Sequence, residues 1–220
     1  MVRVMRKDGV RIKFRTGGRV RSTANLFAGL VTPSHHNYSD TIHGLGQYYT
    51  LAAEGSQKER ARKAIGALVS YWVDNDLKIA KYDKSLPMVS VLGLTNHKTL
   101  NTRVMMAIAG AKVAYHATGE EKFKQIYDQL VDQYGVRKLT TFSTGKDFDD
   151  AEHVFCHLDL LFRIEDDASL LAGYQQVADG LWCNHKDDAQ SLFTYIYYAQ
   201  KVKKRLLRKL CIPYRPFLPI

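Results

Sequence analysis

Seven of the eight histidines in this 220-residue chain fall in four polar segments, or within one helical turn of them. The segments read Ser34-His35-His36-Asn37-Tyr38-Ser39-Asp40-Thr41-Ile42-His43, Asn96-His97-Lys98-Thr99-Leu100-Asn101, Asp147-Phe148-Asp149-Asp150-Ala151-Glu152-His153 and Asn184-His185-Lys186-Asp187-Asp188. Each leads into an apolar run, and the tripeptide Asn-His-Lys precedes two of those runs. Ser39, Asp40, Asn96, Asp149 and Asp187 suit helix caps, because their short side-chain oxygens accept from the free amides of a first helical turn. Acids there also favour the helix dipole. Capping does not account for the histidines. Imidazoles, carboxylates, amides and phenols gathered at one mouth make a candidate ligand site.

The chemistry such a mouth suggests is recognition or cleavage of a saccharide. Cleaving a glycosidic bond requires two carboxylates flanking it, one as acid and one as base or nucleophile. The carboxylates available are Asp40, Asp83, Asp149, Asp150 and Glu152. Tyr38, Tyr82 and Phe148 offer faces on which a sugar ring could stack, whereas Tyr48, Trp72 and Trp182 lie on helix stripes and are expected in the core. His153 and His157 stand at i, i+4, the spacing that lets two imidazoles share one metal. Their run is apolar and no HExxH pattern accompanies it, so the reading carries no metal and no cofactor.

The elements that must position these groups are helices of two kinds. Over 56–75, 120–134 and 168–182 the apolar residues follow a 3,4 spacing, which puts one stripe against a core and leaves the other face wet. Residues 104–115, 154–164 and 192–199 are apolar on nearly every side, with 41–53 a weaker example, and such helices must be buried on every side. The two kinds alternate, which predicts dry inner helices covered by wet outer ones. Links such as Glu54-Gly55-Ser56, Thr118-Gly119-Glu120 and Glu165-Asp166-Asp167 are tight, and the links at 76–96 and 135–149 are long, with a shorter one at 183–187. Antiparallel succession then sets the longer links, and the polar segments with them, on one face.

This alternation resembles the six-hairpin glycosidase superfamily, the (α/α)6 toroids. The stretches NYSDTIHGLGQYYTLA, NHKTLNTRVMMAIAGAKVAYHATGEEKF, DDAEHVFCHLDLLFRIE and DDAQSLFTYIYYA carry the resemblance. It implies an all-α fold, an incomplete toroid of about three to four antiparallel hairpins where a closed ring has six. It also implies catalytic acids at inner-helix N-termini, here Asp40, Asp150 and Glu152, with Asp83 as an outside candidate. The saccharide is expected to meet His36, Tyr38, His43, Tyr82, His97, Asn101, Asp149, His153 and His185. An open arc would leave an apolar edge through which copies of the chain could associate. The alternative function is a non-catalytic helical-repeat module that grips a partner at the same mouth.

The net charge of +10 resides at the ends. Residues 1–21 and 201–220 carry +7 each, and the body between them carries −4. These ends are read as solvated termini rather than as a nucleic-acid surface, which would place a basic stripe on the folded body. Asp8-Gly9 followed by strict alternation predicts a short β-hairpin within 1–21. The domains expected are this basic arm, an α/α-hairpin body over 22–200 and a basic tail over 201–220. The three cysteines, Cys156, Cys183 and Cys211, have no CxxC spacing. With no secretory h-region and no long apolar run, the expectation is a cytoplasmic protein without a membrane span.

Overall fold

The structure is a computed structural model that describes residues 35–79, 89–90, 100–140, 142, 147–188 and 190–210. The expected hairpin in 1–21, together with Tyr82, Asp83 and His97, lies outside these residues. The described chain is built from helical hairpins: α1 (His35–Leu51), α2 (Gly55–Val73), α3 (Thr102–Thr118), α4 (Glu121–Gln133), α5 (Phe148–Ile164), α6 (Ala168–His185) and α7 (Ser191–Leu210). A single 3-10 turn, Val136–Lys138, follows α4. Within the long link after α2, Lys78–Ile79 pairs antiparallel with Val89–Ser90, a two-residue ladder that the sequence did not announce. No described helix is long and apolar enough to cross a membrane.

Helix α3 explains much of the packing. Of its residues Val104 to Ala111 every one is buried, so it needs neighbours on all sides. It contacts α1, α2, α4 and α5. Helix α4 is the opposite kind: Phe123, Tyr127, Leu130 and Val131 are buried on one stripe while Glu121, Gln125 and Gln129 face water. Helix α2 likewise turns Ala61, Ile65, Val69 and Trp72 inward, and α6 covers α5 with Leu170, Tyr174, Val177 and Leu181. Helix α1 touches both α3 and α5, but of its described residues only Ser39, Ile42 and Gly46 are buried, so it is one-sided where burial on every side was expected. Gly46 permits this seat, since a Cβ there would stand 3.0 Å from Leu160 Cδ1 and 3.1 Å from Val113 Cγ1.

The caps follow local chemistry, though Asn101 and Asp147 stand where Asn96 and Asp149 were expected. Asn101 accepts from the Val104 amide to open α3, and Gly119, at φ 72°, closes it in the left-handed region that glycine enters at no steric cost. Asp147, not Asp149, caps α5, and Asp167 caps α6 by accepting from Ser169 and Leu170. Helix α1 begins at His35, so Ser39 and Asp40 lie inside it rather than at its start. Helix α7 runs from Ser191 to Leu210, where the helical pattern of the sequence also ends.

A buried polar network holds the end of the bundle away from the mouth. Tyr127 donates to the Glu165 carboxylate and shares a 2.7 Å hydrogen bond with Tyr174. Lys112 Nζ lies 2.9 Å from the same carboxylate and 4.9 Å from the centre of the Tyr127 ring. The other carboxylate oxygen accepts from the Asp166 and Asp167 amides. Burial pushes the Glu165 carboxyl up, but these donors and the Lys112 charge outweigh it and hold the group below its ordinary value. Burial pushes both phenols up, so each stays a neutral donor. The network ties α3, α4, α5 and α6 at one point.

Two substitutions test this packing. Lys112→Met leaves the Glu165 charge buried without its cation, and is expected to cost about 3 kcal/mol in denaturant unfolding. Gly173→Ala would drive a Cβ into the backbone carbonyl of Val136, which cannot rotate away. Its cost is expected at about 1–3 kcal/mol or more. A change below about 0.5 kcal/mol in either variant would contradict the packing described.

Candidate functional site

Helices α1 and α5 lie against each other through polar contacts that begin at their N-terminal halves. His153 Nδ1 is 2.7 Å from Asp40 Oδ1, and its Nε2 is 3.6 Å from Asp149 Oδ1 one helical turn back. One turn further in, His157 Nε2 and Ser39 Oγ share a hydrogen bond of 2.5 Å, with both side chains buried. Beyond them Gln47 Nε2 donates to Asp159 Oδ2 at 2.7 Å and lies 3.3 Å from His43 Nε2. Arg163 forks onto the same Asp159.

Between these helices opens a cavity of about 550 Å³, lined by Asn37, Asp40 and His43 from α1 and by Asp149, Glu152, His153 and Cys156 from α5. Spacing explains the set. Residues 37, 40 and 43 form one stripe of α1, and 149, 152, 153 and 156 form one stripe of α5. Five of these seven were expected from sequence: Asp40, His43, Asp149, Glu152 and His153. Asn37 and Cys156 were not, although each continues its stripe by one turn, and that continuation was the signal available.

The remaining expected residues are placed elsewhere. Asp150, on another face of α5, accepts from the Thr102 hydroxyl at 3.2 Å and joins the starts of α3 and α5. It does not line the cavity, so the carboxylates brought to it are Asp40, Asp149 and Glu152. Asn101 caps α3. Tyr38 is half-buried against Tyr71 and Trp72, and burial pushes its phenol up. His185 is buried at the end of α6, with Nδ1 2.7 Å from Asp188 and its ring edge-on to Phe148 and Phe193. His36 falls in the first turn of α1. Among the described residues no Phe, Tyr or Trp lines the cavity, so it offers a ligand hydrogen bonds and charge rather than a stacking face.

The electrostatics are those of an acidic mouth over a dry floor. Burial pushes the Cys156 thiol up to about 11, and the nearby Glu152, Asp40 and Asp159 charges push the same way. That thiol is therefore not a ready nucleophile at neutral pH. His157 is shut away from water, and burial pulls its pKa down to about 3, with His43 and His153 adding to the effect. Burial also lowers His43, against the pull of Asp159 and Asp40. Among the described residues, no group of three or more His, Cys, Asp or Glu side chains is arranged to hold a metal ion.

Comparison of the chain with protein-family models, curated proteins and solved structures found no match. The site must be read from its own chemistry.

The buried imidazole sets a pH dependence. A proton binds His157 more readily in the unfolded chain, near 6.5, than in the folded one, near 3. Its contribution to stability is therefore full above the higher value and is lost as pH falls toward the lower one. The melting temperature of wild type is expected to drop more steeply between these limits than that of His157→Gln. Parallel pH profiles for the two proteins would contradict a neutral, buried His157.

Proposed function

We propose that the mouth between α1 and α5 binds a saccharide, and that the helix hairpins form part of an α/α toroid of the six-hairpin glycosidase kind. The observation that carries the reading is the cavity itself. Carboxylates, imidazoles and a carboxamide from two helices converge there, and they supply both acceptors and donors to a ligand rich in hydroxyls. The alternation of apolar and amphipathic helices supports the layered arrangement. Asp40 and Glu152, one from each helix, are the carboxylate pair for any glycosidic-bond cleavage, and they replace the pair that included Asp150. Free thiols at Cys156 and Cys183 suit the cytoplasmic location expected from the sequence.

Ligand binding to the folded state raises stability by about 2.7 kcal/mol at a hundredfold excess over Kd. A panel of neutral and unsaturated oligosaccharides is therefore expected to raise the melting temperature of the wild-type chain. Asp40→Asn and Glu152→Gln are each expected to weaken the effective ligand by about tenfold or more. Release of reducing ends, if it occurs, should vanish in both variants and survive in Asp150→Asn. No shift across the panel would sink the saccharide reading.

A further inference from the structure

Helix α7 has two apolar faces, and the fold covers one. Phe193, Ile196 and Tyr197 are buried, with Phe193 stacked on Phe155 of α5 and Tyr197 on Trp182 of α6. Leu192, Tyr195 and Tyr198 remain exposed, Tyr195 at 74%. The exposed set has order. Leu192, Tyr195 and Ala199 follow a 3,4 spacing, and α7 runs on to Leu210, so Val202 and Leu206 fall at the next two positions of the same heptad. A heptad seam of apolar residues is the pattern of a helix that pairs with another helix. An aromatic patch of this size left in water also marks an interaction surface.

Charge indicates which helix. Residues 191–200 of α7 carry no charge, whereas 201–210 carry six cations, Lys201, Lys203, Lys204, Arg205, Arg208 and Lys209, and no acid. Immediately before the helix stand Asp187 and Asp188, both exposed. A parallel pair would set twelve cations side by side. An antiparallel pair carries each basic half past the uncharged half of the other helix toward its two aspartates, and opposes the helix dipoles favourably. Both the seam and the charge pattern are complementary to themselves, as a two-fold interface requires.

We propose that α7 docks antiparallel on α7 of a second copy of this chain, about a two-fold axis near Ala199. The uncharged half of each α7, with Leu192 and Tyr195 exposed, then lies against the basic half of the other. The small side chain of Ala199 lets the two backbones approach at the centre. This surface is separate from the mouth and stands whether or not a saccharide binds there.

Light scattering and sedimentation of the full chain over a concentration series test the proposal. The expected mass at high concentration is twice the 25.0 kDa of the chain, falling to one copy on dilution because the seam is short. Tyr195→Glu is expected to be monomeric with an unchanged melting curve, since Tyr195 makes little of the core. Lys209→Glu is expected to weaken association by about tenfold, and adding Asp187→Lys to it should restore the dimer. A monomer at every concentration would overturn the proposal and leave the face to residues 211–220 or to another protein. A dimer indifferent to Tyr195→Glu, or a charge reversal without rescue, would overturn the antiparallel α7 pairing.

Discussion

His157 is an imidazole with almost no access to water, and the way the structure accommodates it governs the mouth. A buried polar ring requires partners, and its Nε2 finds one in Ser39 on a helix 118 residues away in sequence. That bond sits between two others of the same kind, His153 with Asp40 and Gln47 with Asp159. Together they fix the rotation of α1 against α5. A different rotation would bury Asp40 or expose Ile42, and either costs free energy. The cavity is a consequence of that register, because the stripe beside the buried seam on each helix is the one that faces outward.

The far end of the bundle obeys the same logic with different residues. There a carboxylate, an ammonium and two phenols satisfy one another around Glu165, while the seam under the mouth relies on His157, kept neutral by burial. The two ends consequently respond differently to acid. The Glu165 carboxyl is held below its ordinary value, whereas the unfolded chain gains protons at His157 as the pH passes below the ordinary histidine value. On moderate acidification the seam under the cavity weakens before the network that holds α3 to α6.

The helices were legible from the sequence because their determinants are local. The 3,4 stripes of α2, α4 and α6 and the all-round apolarity of α3 mark both kinds of helix, and Gly119 marks a stop. Ser39 and Asp40 misled for a physical reason. Their types suit caps, but their side chains bond across to α5, a tertiary partnership that local rules do not see. Asp150 and Glu152 were equal in sequence and are separated by helix geometry: two residues along α5 rotate a side chain by roughly 200°. The extent of α7 was legible as well, because Lys and Arg are good helix formers and the helical pattern of the basic segment fades only after Leu210. His185 shares the motif Asn-His-Lys with the segment at 96–98, yet it packs between phenylalanines rather than joining the mouth.

The central claim is that the α1–α5 mouth is where this protein meets its ligand, with His43 and His153 at its wall. Imidazole NMR signals, assigned by single substitutions and followed during titration with the oligosaccharide that most raises the melting temperature, test it directly. The account requires His43 and His153 to shift together and saturably, while His116 and His185 stay in place. Shifts confined to His116 or His185, or no imidazole shift at saturation, would contradict it.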